Sequence, residues 1–273
     1  MVEPPSEIRE HYESEVVEAD RLTRGAGWLE FVRTQEVIRR HLPPGPLELL
    51  DVGGGAGVHA EWLADDGHTV HLIDPMPNHV AQAQRLARPG RRITAAVGDA
   101  RSLDVDDDST DAVLLLGPLY HLTKQADRVR ALREAGRVIR PGGLVFVAAI
   151  SRFASLLDGL SREFVFDPRF RPIVERALLD GQHRNPDRTP HWFTTAYFHR
   201  PTDLADEASK AGLDCVEVVG VEGVAGWFHG IFDRWDDPDQ RETILFAARA
   251  IESEPSLLGA SPHLLMVTKK PSH

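Results

Sequence analysis

The chain has 273 residues, 42% of them hydrophobic, which is enough to bury the core of one α/β domain with appendages. A formal net charge of −11 without a basic stripe argues against a nucleic acid as partner, because phosphate binding requires clustered lysine and arginine. The only cysteine, Cys215, excludes an intrachain disulfide and a thiolate zinc site, and its apolar surroundings in the sequence predict a buried strand thiol.

The first part of the chain, about residues 6–41, carries apolar residues at helical spacing and stops at the prolines of "HLPPGP". We interpret residues 1–45 as a helical N-terminal extension or lid. Its start is acidic and lacks an apolar core, so neither a signal peptide nor a membrane anchor is predicted. No stretch of the chain approaches the roughly 20 apolar residues of a membrane helix. We therefore expect a cytoplasmic protein that binds neither membranes nor nucleic acids.

Residues 46–150 alternate between compact apolar runs and segments of helical spacing. Such alternation predicts a doubly wound α/β fold, with a parallel sheet covered by helices on both faces. The predicted strands are "LELLDV" (47–52), "TVHLID" (69–74), "RITAAV" (92–97), "DAVLLLG" (111–117) and "PGGLVFVAAI" (141–150).

Residues 151–200 break the alternation and are too long for a simple connection. An insert after the fifth strand lies over the carboxyl ends of the strands, where such sheets bind ligands, so we interpret this segment as a substrate cover. Residues 201–273 resume the pattern with a helix over 201–213 and strands over 215–221 and 263–270.

The loop after the first strand has four glycines in five positions, in the pattern Asp51-x-Gly53-x-Gly55-x-Gly57. A dinucleotide fingerprint starting at Gly53 requires glycine where Val58 stands, and a P-loop requires a following Gly-Lys-Ser/Thr that is missing. Bare glycines let a ligand lie against the backbone, and the next helix presents N–H groups to an anionic group. Asp51 as a simple helix cap explains neither the glycines nor Asp74.

Two further acidic residues follow the next strands. Asp74 closes the second strand, where a carboxylate can accept from both hydroxyls of a ribose, and Asp99 after the third strand can accept from an adenine amino group. Both residues are also ordinary turn formers. Together with the glycine loop they indicate an adenosine ligand without a pyrophosphate. The acidic run "DVDDDSTD" (104–111) indicates a solvated loop, and no metal site is predicted.

The segments "LLDVGGGAG", "HLIDP", "VGDA", "DAVLLLGPLYHL" and "IRPGGLVFV", in this order, make the chain resemble the class I S-adenosylmethionine-dependent methyltransferases. The resemblance covers residues 47–150 strongly and the last two strands weakly. It implies a Rossmann-like seven-stranded sheet whose last strand is antiparallel, with 46–150 as the cofactor-binding half and 201–273 as the C-terminal half of the domain. One departure is the extra glycine at position 54, which we expect not to disturb the fold.

The same resemblance implies a role for individual residues at an S-adenosyl-L-methionine site. It places Gly53 and Gly55 against the amino-acid portion, Asp74 on the ribose, Met76 beside the adenine, Asp99 and Ala100 at the adenine rim, and Leu116 with Gly117 near the sulfonium.

Methyl transfer requires alignment of a nucleophile, exclusion of water and, for a hydroxyl or ammonium acceptor, removal of a proton. His121 follows the fourth strand and is our candidate general base, with a packing role as the alternative. Tyr120 is expected to shape the pocket or face the sulfonium. In the insert, Tyr197 and His199 point to the same side of a predicted strand and either line the substrate pocket or belong to a cover strand.

Tyr12 and Arg33 in the N-terminal extension are candidates for closing over the cofactor, with Arg33 able to pair with a carboxylate. The predicted activity is methyl transfer to a small molecule; the alternative is a non-methylating protein that binds S-adenosylmethionine. Methylation of nucleic acid or protein is disfavoured, because "GPLY" stands where an Asn/Asp-Pro-Pro-aromatic signature is expected. The sequence leaves the oligomeric state open.

Overall fold

The structure, a computed structural model, describes Leu22 and residues 24–272. Helix α1 (Ala26–His41) ends directly before the proline-rich segment that follows it, because proline cannot continue a helix. Its Val37 and Ile38 pack into the core beneath one face of the sheet. The earlier part of the predicted extension, including Tyr12, lies outside the described residues.

The core is a seven-stranded sheet in the order β3-β2-β1-β4-β5-β9-β8. Strands β1 to β5 pair in parallel, and β9 runs antiparallel to both β5 and β8. The predicted doubly wound sheet with an antiparallel last strand is therefore confirmed. Its strands are β1 (Glu48–Val52), β2 (Thr69–Asp74), β3 (Arg92–Val97), β4 (Thr110–Leu115), β5 (Ile139–Ile150), β8 (Asp214–Gly220) and β9 (His263–Lys269).

Helices cover both faces of the sheet, and two separate apolar clusters form, one on each side. The strands in the centre are buried on both faces, as their near-continuous apolar sequences require. The further helices are α2 (Val58–Asp65), α3 (Pro77–Gln84), α4 (Pro118–His121), α5 (Gln125–Val138), α6 (Ala154–Ser161), α7 (Arg171–Asp180), α8 (Pro201–Ala211) and α9 (Pro238–Ile251).

The segment after β5 contains α6, α7 and a small two-stranded sheet of β6 (Gln182–His183) and β7 (Ala196–Tyr197). It packs at the carboxyl edge of the parallel strands, where Ser151 and His199 form a parallel bridge. The domain boundaries stated above remain predictions.

Two details differ from the sequence analysis. Cys215 lies on β8 as predicted, but it is exposed rather than buried, because β8 is the edge strand and Cys215 is near its start. Helix α9 was not predicted; it packs Ile244, Leu245 and Ala248 against the N-terminal helix region around Leu29. Within the described residues, no helix combines the length and apolarity needed to cross a membrane.

Candidate functional site

The glycine loop between β1 and α2 turns with a left-handed backbone at Gly53 (φ 71°), Gly55 (φ 57°) and Gly57 (φ 94°). Only glycine adopts these angles without strain. The alternating spacing therefore encodes the path of the loop over the carboxyl edge of the sheet.

At two of its glycines the loop is also too tightly packed for a side chain. A Cβ on Gly53 would lie 2.7 Å from the Cδ of Pro118, and a Cβ on Gly54 would lie 2.5 Å from Oδ2 of Asp51. A side chain at position 54 would thus collide with the carboxylate of Asp51. The sheet forms with the extra glycine in place, as expected, but an alanine at position 54 would place its Cβ against the carboxylate of Asp51.

Asp51 is completely buried at the end of β1, and neither carboxylate oxygen accepts a hydrogen bond from a described residue. Burial raises the pKa of Asp51 to about 7. The nearby negative charge of Asp74 contributes to this rise, whereas the backbone of Ala60 lowers the pKa. A buried carboxyl group in this state is ready to ionise when a cationic group is brought beside it.

Asp74 at the end of β2 is held by the backbone on both oxygens. Oδ2 accepts from the N–H of Gly55 at 2.9 Å, and Oδ1 accepts from the N–H of Met76 at 2.9 Å and from Nδ1 of His79 at 3.2 Å. The residue is 4% exposed. Its carboxylate therefore fixes the glycine loop relative to the next strand.

Asp99 follows β3 and pairs with Arg101, whose guanidinium and backbone N–H donate to its carboxylate at 2.6–3.2 Å. Burial acts to raise the pKa of Asp99, but these bonds hold it below its ordinary value. Asp99 is thus an ionised acceptor at the rim of the site.

These residues line one cavity of about 370 Å³ at the carboxyl edge of the sheet, which we call the edge cavity. It brings together most of the residues predicted from the sequence. They are Asp51, Gly53, Gly55, Asp74, Met76, Asp99, Ala100, Leu116, Gly117, Tyr120 and His121. The sequence analysis missed Glu30 and Thr34, which α1 contributes to the same wall.

Gly57 and Arg33 lie outside the edge cavity. A Cβ on Gly57 would lie 2.8 Å from Leu86, so this glycine allows α2 and α3 to pack closely. Arg33 is 2% exposed and forms ion pairs with Glu36 and Glu252, which tie α1 to the C-terminal end of α9. Arg33 does pair with carboxylates, as predicted, but they belong to the protein.

Tyr120 and His121 stand on the short helix α4, directly after β4. The His121 ring stacks on Phe193 of the insert (centroids 6.2 Å apart) and meets the Tyr120 ring edge-on at 4.7 Å. The side chains of α4 thus connect the edge cavity with the insert.

Tyr197 and His199 share one side of their segment and touch (ring centroids 4.7 Å apart), as the alternation predicted. They belong to a buried polar network outside the edge cavity. Nε2 of His199 lies 3.3 Å from Glu207, and Arg128 both pairs with Glu207 at 2.6 Å and lies 3.6 Å above the Tyr197 ring. Burial lowers the pKa of His199, despite the opposing effect of Glu207. This network joins α5, α8 and the insert.

A second cavity of about 690 Å³, the insert cavity, lies between the insert, the start of α1 and the segment after β8. Its aromatic wall comprises Phe170, Trp192, Phe193, Phe198 and Trp227. Tyr120 and Glu30 line both cavities. The two cavities therefore adjoin at these two side chains.

The insert cavity also contains a pair that the sequence analysis missed. Nδ1 of His263 lies 2.5 Å from Oε1 of Glu222, which is 2% exposed. Because β9 is antiparallel to β5, its first residue, His263, pairs with Ile150 and lies at the ligand-binding edge of the sheet. The one signal in the sequence was the predicted antiparallel direction of the last strand.

Comparison with known proteins agrees with this geometry. Residues 49–143 match a family model described as "Methyltransferase domain". A ubiquinone biosynthesis O-methyltransferase from Methylocella silvestris is 37% identical over 193 residues, which cover 69% of this chain and 68% of the relative. A glycine/sarcosine N-methyltransferase from Parasynechococcus marenigrum is 32% identical over 155 residues, covering 52% of this chain and 54% of the relative.

Among solved structures, an S-adenosylmethionine-dependent methyltransferase from Methanosarcina mazei superimposes with a TM-score of 0.59 at 20% identity. The superposition covers 87% of this chain and 98% of that one. At this level of identity the likeness concerns the fold.

Proposed function

Because the chain belongs to the S-adenosylmethionine-dependent methyltransferases, we propose that it methylates a small molecule bound in the insert cavity. The observation that carries this proposal is the pair of shared lining residues, Tyr120 and Glu30. A cofactor in the edge cavity and an acceptor in the insert cavity would meet there.

For the cofactor, the proposed roles follow the contacts of the edge cavity. Asp74 accepts from the ribose hydroxyls, the loop at Gly53 and Gly55 lies against the amino-acid portion, and ionised Asp51 faces its ammonium group. When bound, the cofactor supplies an activated methyl group on a sulfonium. The chain aligns the acceptor, excludes water and removes a proton where the acceptor has one.

Two features support a small acceptor. The aromatic wall of the insert cavity suits a compact apolar body, and the net charge of −11 disfavours a polyanion. The name of the Methylocella relative refers to ubiquinone biosynthesis, and the name of the Parasynechococcus relative refers to glycine and sarcosine. One relative is named as an O-methyltransferase and the other as an N-methyltransferase. The names therefore support a small acceptor but not the atom that is methylated.

The proposal is tested by incubating the protein with S-adenosylmethionine and a panel of phenols, catechols, amines and enolisable carbon acids. Release of S-adenosylhomocysteine and the mass of the methylated product are followed by mass spectrometry. We expect acceptor-dependent turnover, abolished in Asp74→Ala at low cofactor concentration. Methylation of RNA or protein alone would contradict the proposal. Tight cofactor binding without consumption by any acceptor would instead establish the non-methylating alternative.

A further inference from the structure

The pair of His263 and Glu222 lies in the wall of the insert cavity and has the arrangement of a carboxylate-oriented base. We propose that His263, oriented by Glu222, accepts a proton from an O–H or N–H group of the acceptor. This inference rests on the proposed function and makes it more specific.

Glu222 is fixed before any ligand arrives. Its Oε2 accepts from Oγ of Ser261 at 3.0 Å and from the N–H of His263 at 3.1 Å, which leaves Oε1 for the imidazole at 2.5 Å. A carboxylate in this place favours the tautomer in which Nδ1 carries the hydrogen. Nε2 is then the nitrogen that can accept a proton.

The position of His263 fits this role. It opens β9 beside Ile150, and both residues line the insert cavity. Oε2 of Glu30 lies 3.7 Å from Nδ1 of His263, and Glu30 also lines the edge cavity. The imidazole is therefore next to the place where the two cavities adjoin.

Two other histidines in this wall, His183 and His229, make different contacts. In His183, Nδ1 contacts Oγ of Ser155 and Nε2 contacts the carbonyl of Trp192, both at 2.7 Å. Burial lowers the pKa of His183 to about 4, so it stays neutral and keeps its nitrogens occupied. His229 contacts Oγ of Ser161 at 3.3 Å through Nε2.

The proton of the acceptor O–H or N–H moves to Nε2 of His263 while the acceptor lone pair attacks the methyl carbon. The carbon–sulfur bond breaks with its electron pair going to sulfur, which becomes a neutral thioether. Glu222 and Glu30 stabilise the imidazolium until it returns the proton to water. The other charged or titratable groups lining the cavity are Arg24, Asp158, Arg162, His183, His191 and His229.

The test compares His263→Ala, His263→Gln and Glu222→Gln with His121→Ala and a control, His71→Ala. His71 lies on β2 beside Thr94, outside both cavities. With the best acceptor of the panel, we expect kcat of the His263 variants to fall at least a hundredfold at pH 7, with the cofactor Kd unchanged. Added imidazole should restore part of the rate in His263→Ala and leave the wild-type protein unaffected. His71→Ala should keep full activity.

Glu222→Gln is expected to lower kcat about tenfold. It should also move the rising limb of the pH profile of kcat to lower pH, because loss of the carboxylate lowers the pKa of the His263 imidazole. Circular dichroism confirms that each variant is folded. A merely structural role of the pair would change neither the pH profile nor the response to imidazole.

Four results would overturn the inference. The first three are an unchanged kcat in the His263 variants, a hundredfold loss confined to His121→Ala, and turnover of carbon acceptors only. The fourth is activity that is lost with EDTA and restored by Mn²⁺, which would make Glu30, Glu222 and His263 a cation site. Carbon-only turnover leaves the proposed function standing. Failure of every acceptor contradicts both proposals, since this one requires a protic acceptor.

Discussion

The edge cavity and the insert cavity are built from the chain in different ways. The floor of the edge cavity is made of backbone: left-handed glycines, close packing that leaves no room for a Cβ at Gly53 or Gly54, and Asp74 held by two N–H groups. The insert cavity is made of side chains from the start of α1, the insert, the segment after β8 and the start of β9. A site made of backbone depends on a few residues that are close together in the sequence. A site made of side chains from distant parts of the sequence can bind a different ligand after substitution without a change in the fold.

The largest expected effect concerns Gly54. In Gly54→Ala the new Cβ would lie 2.5 Å from Oδ2 of Asp51 and 2.7 Å from Leu72. Relief of these contacts moves the loop, so we expect cofactor affinity to fall at least a thousandfold, about 4 kcal/mol. Isothermal titration calorimetry measures this loss.

The matched control is Gly230→Ala, where an added Cβ meets nothing within 4 Å. It should bind the cofactor like the wild-type protein. If Gly54→Ala remains folded and binds equally well, the edge cavity does not depend on its backbone, and the contrast between the two cavities is lost.

The next effect concerns pH and the buried carboxyl group of Asp51. Its pKa is about 7 in the fold against an ordinary value of 3.8, so folding takes up a proton between these pH values. The stability from this group is fully present below about pH 4 and is lost as pH rises through 7, with a loss of about 3 kcal/mol between pH 5 and 8. Denaturant unfolding of the cofactor-free protein from pH 5 to 8 measures this change.

Asp51→Asn should remove this contribution and gain stability relative to the wild-type protein as pH rises. The difference between the two proteins isolates Asp51 from the other carboxyl groups. Parallel pH curves for both would mean that Asp51 already has an ordinary pKa in the fold.

The smallest effect concerns Asp74. Asp74→Ala removes a charge-assisted pair of hydrogen bonds to the ribose, worth about 1.5–3 kcal/mol, so cofactor affinity should fall roughly ten- to a hundredfold. The loss should also appear with adenosine alone, which contains the ribose but lacks the amino-acid portion. A change of less than threefold in a folded variant would reduce Asp74 to a turn residue.

The difference between the cavities also explains what could be predicted from the sequence. The strands at 69–74 and 92–97 have the predicted bounds. Strand bounds are predictable because the pattern of apolar residues and the turn residues at the strand ends are local features of the sequence. The edge cavity was predictable for the same reason, since its residues follow directly after the strands.

The insert cavity was not predictable in this way. Glu222 and His263 meet only because β9 enters the sheet in the opposite direction, and the intervening helix α9 was not predicted. Tyr197 and His199 were correctly placed on one side of the chain, but nothing in their sequence reveals that Arg128 and Glu207 enclose them. Sequence patterns predict which residues share a face of a helix or strand. They do not predict which residues of a distant segment contact that face.

The most direct test of the account is a crystal structure of the protein with S-adenosylhomocysteine. It is predicted to show the ribose hydroxyls on Asp74, the amino-acid portion against Gly53 and Gly55, and the sulfur atom facing Tyr120 and the opening to the insert cavity. A cofactor bound outside the edge cavity, or a sulfur atom turned away from the insert cavity, would contradict it.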